Sequence, residues 1–363
     1  MTGVTPKPSE RDEQSGTEHD PRGSARIGST VWARRHRTAL LVLACSMLLP
    51  GLSVLALTVG EIPMSVRTAM RALAGAGDPG YVYVVQEFRA PRVAAALIAG
   101  AGLAVSGAVL QRLFRNPLAS PDVMGVTGGA SFGAVSVLAL GASQSLIPVG
   151  ALGGGALAAL LLAVIGWGTG RSVIRLVLVG LAVQAGLSAA VNLLVVRFPR
   201  ELAGAALQWT AGSLYGRTWT EVAGAAAAGI LMLSALFAQY RTLAVLDLGD
   251  EMASTLGIRV GRARFCLLGT AITLAALAAA IAGPVSFVAL AIPHIVRLIA
   301  GPPTATGLAA TGLTGAALLL GCDLVVQHAL PVSGLPVGVI TATVGAPWLL
   351  VLMLRENTLR RSA

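Results

Sequence analysis

Residues 91–111 read PRVAAALIAGAGLAVSGAVLQ, a run in which Arg92 is the only charged side chain. A helix of about 20 such residues crosses the roughly 30 Å hydrocarbon core of a bilayer. Similar runs recur along the 363-residue chain, of which 55% is apolar and only 12% is charged. Soluble domains carry about twice that proportion of charged residues. We therefore predict an all-α polytopic membrane protein and exclude a soluble enzyme, a disordered chain and a disulfide scaffold.

Apolar runs divide the chain into ten predicted membrane segments. The eighth is too short to span a bilayer alone and is interrupted by Pro293. It is retained because an even number of spans fits the distribution of charge. The segments are 39–60, 91–111, 121–139, 145–166, 173–196, 219–239, 263–283, 288–300, 307–329 and 335–353.

Arginine is distributed unevenly between the two sides of these segments. With the N-terminus in the cytoplasm, the inner loops and flanks carry 15 arginines and the outer ones carry 7. An excess of basic residues marks the cytoplasmic side, so we expect both termini to be cytoplasmic. Topology and anionic lipid explain the net charge of +10 better than nucleic-acid binding does.

The domain organisation follows from the same pattern. Residues 1–38 are polar for most of their length and are predicted to form a disordered cytoplasmic tail. One transmembrane domain is predicted over 39–355, with a long inner loop at 241–264. Residues 356–363 are predicted to be a short cytoplasmic C-terminal tail.

The chain offers little for catalysis or for metal binding. It has no H-E-x-x-H motif, and Cys45, Cys266 and Cys322 lie far apart in apolar runs. Its single lysine, Lys7, follows no glycine-rich loop, whereas a Walker A motif needs its lysine to reach phosphate. We expect no enzymatic activity, no metal and no cofactor bound by this chain. If ATP drives the protein, another chain must bind it.

A polar stripe runs along the fifth segment. Gln184, Ser188 and Asn192 are spaced four residues apart and therefore share one helical face. They would either line a wet path for a polar solute or form hydrogen bonds between helices. The spacing alone does not separate these two interpretations.

The inner loop 241–264 has the pattern of a short amphipathic helix. Asp247 is a predicted cap for a helix that begins near Leu248, and Gly257 is a predicted stop. Asp250 and Glu251 would lie in the first turn, where they complement the helix dipole. The remaining apolar face suits a groove on a partner protein better than an anionic lipid surface.

The third segment of each half of the chain is irregular. Segment 121–139 contains four glycines, and segment 288–300 is short and contains Pro293. Irregular segments at matching positions of two halves point to an internal repeat around a transport path. Gly and Pro are also frequent in ordinary membrane helices, so both interpretations remain open.

Five blocks of sequence occur in order between 39 and 355. They are Arg89-Ala90-Pro91-Arg92, the stretch from Asn116-Pro117 to Pro121 and Gly125, the loop from Leu246 to Gly257, the Pro293-His294 to Arg297 block, and Leu335-Pro336-Val337-Gly338. Together they resemble the permease subunits of iron–siderophore, heme and cobalamin ABC importers, the FecCD-type permeases.

This resemblance implies a complete transport machine around the chain. It implies ten transmembrane helices per subunit, a second permease subunit, and two ABC subunits that bind ATP and Mg. It also implies an extracytoplasmic solute-binding protein and a location in the plasma membrane. The expected function is import of a ferric siderophore. Cobalamin or heme import by the same machine is an alternative, as is a secondary transporter or channel without ATPase partners.

The resemblance also implies roles for residues. The structural motif positions are Asn116, Pro117, Pro121, Gly125, Pro293, His294, Arg297, Pro336 and Gly338. Coupling to the ATPase is implied for Asp247, Leu248, Gly249, Asp250, Ala253, Leu256 and Gly257. The path is implied to run beside the stripe Gln184, Ser188 and Asn192. Docking of the binding protein is implied for Arg89, Arg92 and the position of Gln327, where the family often has arginine.

Overall fold

The computed structural model describes residues 21–167, 173–301, 304–329 and 334–361. Within these ranges the regular secondary structure is entirely helical, which confirms the predicted all-α class. Seven described helices are long and apolar enough to cross a membrane. Three shorter apolar helices accompany them at Val126–Ala139, Val288–Ala300 and Val337–Val351. The chain is therefore a multi-pass membrane protein.

The described helices are numbered here in chain order. They are α1 (Pro21–Thr58), α2 (Val66–Leu73), α3 (Pro79–Tyr83), α4 (Ala90–Leu113), α5 (Val126–Ala139), α6 (Ile147–Trp167), α7 (Val173–Val196), α8 (Arg200–Thr210), α9 (Trp219–Ala238), α10 (Tyr240–Leu246), α11 (Asp250–Thr255), α12 (Val260–Ala282), α13 (Val288–Ala300), α14 (Ala305–His328) and α15 (Val337–Arg361). A π-helical turn, Val84–Arg89, leads into α4, and a 3₁₀ turn, Gln144–Leu146, precedes α6.

Both predicted tails differ from the observed helix boundaries. Residues 1–20 of the N-terminal tail lie outside the described residues, but 21–38 already form the beginning of α1. At the other end α15 continues to Arg361. Extending an established helix costs little, because each added residue gains a hydrogen bond, and Pro21 suits a first helical position.

Helix α4 lies at the centre of the bundle and packs against α12, α13 and α14. Its small residues permit this. A Cβ atom on Gly107 would overlap the carbonyl of Ala289 in α13, and one on Gly100 would overlap the carbonyl of Gly315 in α14. Small residues let helix backbones approach closely where lipid supplies no hydrophobic driving force.

A second close contact joins α5 to α6. Gly129 lies against Gly154, and Gly133 lies against Gly150, with no room for a Cβ atom at any of these four positions. Glycines spaced four residues apart in α5 and α6 therefore form a helix interface, as they do in many membrane proteins.

Helix α5 begins five residues later than the predicted third segment, which started at residue 121. The backbone turns at Asn116, whose Oδ1 accepts a hydrogen bond from the Leu118 N–H at 2.9 Å. Gly125 then adopts a left-handed conformation with φ +80°, which favours glycine. This conformation is not helical, so α5 begins at the next residue, Val126. The other short helix, α13, also follows a non-helical stretch, which ends at Phe287 with φ +68°.

Candidate functional site

A polar cavity of about 550 Å³ lies beside α7. Gln184, Ser188 and Asn192 all line it, so the stripe predicted from sequence spacing does face one space. Hydroxyl groups from other elements complete the lining: Thr127 and Ser131 of α5, Thr210 of α8, Ser286 and Thr343. Polar groups from five parts of the chain thus converge on one cavity within a bundle whose surface is apolar.

Gln184 both lines the cavity and joins two helices. Its Oε1 accepts a hydrogen bond from the Gly128 N–H in α5 at 3.0 Å, so it joins two helices. Its Nε2 donates to Ser188 Oγ at 3.4 Å, along the lining of the cavity. Gly128 has no room for a side chain because the amide of Gln184 occupies that position. This contact fixes the start of α5 against α7.

Non-helical backbone forms one wall of the cavity. The Gly338 N–H donates to the carbonyl of Gly212 at 3.2 Å, which ties the start of α15 to the residues that follow α8. Gly283 lies against the carbonyl of Trp209 and adopts a φ of +69°. Irregular backbone at membrane depth is tolerated where it is buried in protein or lines a water-filled cavity. Gly338, a predicted motif residue, therefore has a packing role in this wall.

Asp122 contributes a carboxylate to the same cavity. The sequence pattern did not assign Asp122 to the path. Its position depends on the turns between Asn116 and Gly125, which return the chain into the bundle before α5 begins. A charged residue inside an apolar run was the signal available, since such residues are costly and often functional.

The predicted coupling residues lie together at the end of the bundle where α4 finishes. Arg112 Nε donates to Asp247 Oδ2 at 3.0 Å, and Arg115 Nη2 donates to the carbonyl of Leu246 at 3.0 Å. Arg112 is nearly buried, and its guanidinium also lies 5.5 Å from the ring centroid of Tyr240. These contacts fasten the 241–264 loop to the central helix.

The helix in this loop differs in its boundaries from the prediction. Helix α11 spans Asp250–Thr255 and its N-cap is Gly249, whereas Asp247 caps the C-terminal end of α10. The predicted cap was wrong because the carboxylate of Asp247 bonds to Arg112, and Gly249 adopts the φ of +115° that the turn requires. Gly257, with φ +82°, follows the helix and ends it as predicted.

An apolar patch is exposed on this loop. Leu248, Met252 and Leu256 are each more than half exposed, while Ala253 is buried against the bundle. Asp250 lies beside the patch and accepts a hydrogen bond from Arg264 at 2.7 Å. We call Leu248, Asp250, Met252 and Leu256 the coupling surface. Exposed apolar side chains grouped around a charge are typical of a site for another protein.

At the opposite end, the predicted docking residues are engaged within the chain. Arg92 bonds both carboxylate oxygens of Asp323, at 2.8 and 2.9 Å, and Gln327 donates to Asp323 at 2.7 Å. The side chain of Asp323 is only 2% exposed. Arg89 donates to the carbonyls of Leu57 and Ile62. Arg92 is thus neutralised by a buried partner, whereas Arg89 retains its charge near the surface.

The block around Pro293 lies at the same end as the coupling loop. His294 Nδ1 lies 3.2 Å from Arg297 Nη2 within α13, and Pro293 is buried inside the helix. Gln111 of α4 donates to the carbonyl of Leu290 at 3.1 Å, which joins α13 to the central helix. Among the described residues there is no cluster of three or more His, Cys, Asp or Glu side chains that suits a metal ion.

Comparison with known proteins identifies relatives along nearly the whole chain. The chain is 39% identical to the ferric enterobactin transport system permease protein FepG of Escherichia coli (strain K12), over 90% of this chain and 98% of FepG. It is 35% identical to the Fe(3+)-citrate import system permease protein YfmE of Bacillus subtilis (strain 168), over 88% and 96%. It is 39% identical to the cobalamin import system permease protein BtuC of Halobacterium salinarum, over 76% and 74%.

The fold has a match among solved structures. One described as an inward-facing conformation of a metal-chelate type ABC transporter superposes with a TM-score of 0.78 and 29% sequence identity, covering 87% of this chain and 99% of that chain. The sequence also matches the FecCD transport family over residues 47–355. The chain is a member of the FecCD transport family.

Proposed function

We propose that this chain is the permease subunit of an ATP-driven importer of ferric siderophores in the plasma membrane. The observation that carries the proposal is the polar cavity between α5, α7 and α15, which is walled partly by non-helical backbone. Relatives named as permeases for ferric enterobactin and for Fe(3+)-citrate support iron chelates as the cargo. A cobalamin permease among the relatives makes cobalamin the second candidate.

The proposed assembly contains a second permease subunit, two ABC subunits that bind ATP and Mg, and an extracytoplasmic binding protein. Each permease has ten membrane helices with both termini in the cytoplasm, the three short apolar helices completing the seven long ones. This orientation places the coupling surface and Arg112 in the cytoplasm. Purification of the tagged chain in mild detergent tests the assembly, because ATP-binding subunits should copurify with it. A chain that purifies alone and still transports its solute after reconstitution in liposomes would favour a secondary transporter instead.

The mechanism is alternating access without covalent chemistry. Closure of the ATP-binding pair would press on the coupling surface, and the Arg112–Asp247 contact would pass the displacement to α4. Helices packed on α4 through glycine contacts would then move as rigid bodies, because close-packed interfaces do not deform continuously. The cavity beside α7 would open in turn to each side of the membrane.

The first prediction concerns the cavity. In a cysteine-free background, single cysteines at Gln184, Ser188 and Asn192 should react with a small water-soluble thiol reagent, and trapping ATP should change their rates. A cysteine at Leu187, which is buried and does not line the cavity, should stay unreactive. Equal labelling of Leu187→Cys and the three cavity positions would exclude an ordered aqueous path along this face.

The second prediction concerns the coupling surface. Asp250→Arg should leave folding nearly unchanged, because its pair with Arg264 is exposed and such pairs contribute about 0–1 kcal/mol. It should abolish the stimulation of ATP hydrolysis by the loaded binding protein in proteoliposomes.

A charge-swap control separates two causes of that loss. The double variant Asp250→Arg with Arg264→Asp restores the local pair but keeps the reversed charge at position 250. We expect it to remain uncoupled. Recovery of stimulated ATPase activity in the double variant would mean that the local pair, and not a partner contact, explains the effect.

We also propose that Arg89 supplies the charge that docks the binding protein. Arg92 and Gln327 are already bonded to Asp323, so Arg89 is the predicted docking residue with charge left for an acidic partner. It sits beside the chain that connects α1 to α2, at the end opposite the coupling surface. Charges at the rim of an interface set the association rate more than the affinity.

The third prediction follows. Arg89→Gln keeps one donor for the carbonyls but loses the charge, so association with the binding protein should slow about 3- to 10-fold at low salt and converge with wild type at high salt. Arg67→Gln, on the exposed face of α2, is the matched control and should associate normally. A wild-type rate and salt dependence for Arg89→Gln would make Arg89 a structural anchor only.

A further inference from the structure

A second cavity, of about 920 Å³, lies on the other side of α8 from the polar cavity. Helix α12 forms its floor, with α6 and α9 on either side, and the two cavities share no lining residue. Thr210 at the end of α8 lines the polar cavity, whereas Trp209 lines the second one. We call the second cavity the α8 groove, defined by Trp209, Arg217, Glu221, Ile147, Leu152 and Leu277.

The α8 groove is amphipathic. Ile147, Val149 and Leu152 of α6 face Leu277 and Ile281 of α12 across it. Its polar and charged residues are grouped where α6 and α9 begin, at Gln144, Arg217 and Glu221. Apolar walls with one charged end match a molecule that has hydrocarbon chains and a polar head, as a membrane lipid has.

Two hydrogen-bond donors in the α8 groove lack partners within the described chain. Trp209 is 7% exposed, and its indole Nε1–H bonds to no described group. Arg217 is 9% exposed at its side chain, and its Nε–H is likewise unpaired. Leaving a buried donor unsatisfied is costly, so a donor without a protein partner usually bonds to water or to a ligand. Both side chains line the α8 groove, and two unpaired N–H donors suit an acceptor such as a phosphate ester.

The charges in the groove are one cation and one anion. Arg217 Nη1 lies 3.7 Å from Glu221 Oε2, well beyond the roughly 2.7–2.9 Å of a charge-assisted hydrogen bond. Burial lowers the pKa of Arg217, and the nearby Glu221 carboxylate opposes this shift. Arg217 Nη2 also donates to the Ser213 carbonyl, and Glu221 Oε2 accepts from the Thr218 N–H, both at 3.3 Å. A ligand that carried both charges would add shorter contacts to these long ones.

We infer that the α8 groove binds one phospholipid with an ethanolamine head group. Phosphate oxygens accept hydrogen bonds from Arg217 and Trp209, the ammonium donates to Glu221, and the acyl chains lie between α6 and α9. An ammonium with N–H donors is needed for the carboxylate, which excludes choline. In the orientation proposed above this is the outer leaflet. The bound lipid supports α8, whose other side contributes Thr210 to the polar cavity.

The test measures lipid binding to the purified full-length chain and needs no transport assay. Delipidated protein is titrated in detergent with phosphatidylethanolamine, phosphatidylcholine or phosphatidylglycerol. Native mass spectrometry counts the bound lipids, and the melting temperature is measured in parallel. We expect one phosphatidylethanolamine per chain, with at least fivefold preference over the other two. Equal binding of all three lipids, or no retained lipid, would overturn the inference.

Three variants and one control locate the binding in the α8 groove. Trp209→Phe removes the unpaired donor, so lipid affinity should fall about 2- to 10-fold. The smaller ring should also lower the lipid-free melting temperature slightly, and affinity is therefore measured well below it. Arg217→Gln should lose most binding, and Arg197→Gln, an exposed arginine outside the groove, should lose none. Glu221→Gln should shift the preference towards phosphatidylglycerol. Unchanged lipid affinity in Trp209→Phe and Arg217→Gln would place the lipid elsewhere.

A final experiment distinguishes a lipid ligand from a soluble phosphate compound. Glycerophosphoethanolamine, which has the head group without acyl chains, should give no increase in melting temperature at concentrations where the lipid is saturating. Stabilisation by this compound equal to that by the lipid would show a site for a soluble phosphate ester and would overturn the lipid assignment.

Discussion

The structure depends on the need of every backbone polar group for a partner when water is excluded. Most of the chain meets this need with helices, but α5, α13 and α15 are preceded by non-helical stretches. The bond from Gly338 to Gly212 and the close approach of Gly283 to Trp209 satisfy or shield that backbone. The polar cavity lies where these irregular stretches meet, and hydroxyl groups from several helices face it.

Helix α4 connects this centre to both ends of the protein. Arg92 near its start bonds the buried Asp323 of α14, and Arg112 near its end bonds Asp247 beside the coupling surface. The two arginines are about 30 Å apart along the helix. Between them, Gly100 and Gly107 bring α14 and α13 into backbone contact. Removing either carboxylate would leave a largely buried guanidinium without its partner, which is costly in a low-dielectric setting.

The sequence predicted the fold class and the positions of the helices well, because membrane length and hydrophobicity act locally. The shared face of Gln184, Ser188 and Asn192 was equally predictable from helical periodicity. Three features were not. Asp122 lines the cavity, Gly249 and not Asp247 is the N-cap of α11, and Arg92 forms an ion pair with Asp323. The position of Asp122 depends on a series of irregular turns, and the other two features depend on contacts between residues distant in sequence. Helical periodicity predicts neither.

We propose that cargo crosses the membrane through the polar cavity beside α7. The direct measurement is uptake of radioactive iron from the host's own ferric siderophore, in cells whose only copy of this permease is Ser188→Leu. Leucine at this position would fill the cavity with apolar volume, so we predict loss of uptake with normal assembly and basal ATP hydrolysis. Gly153→Leu, on the open face of α6, should transport normally. Wild-type uptake by Ser188→Leu would contradict the account.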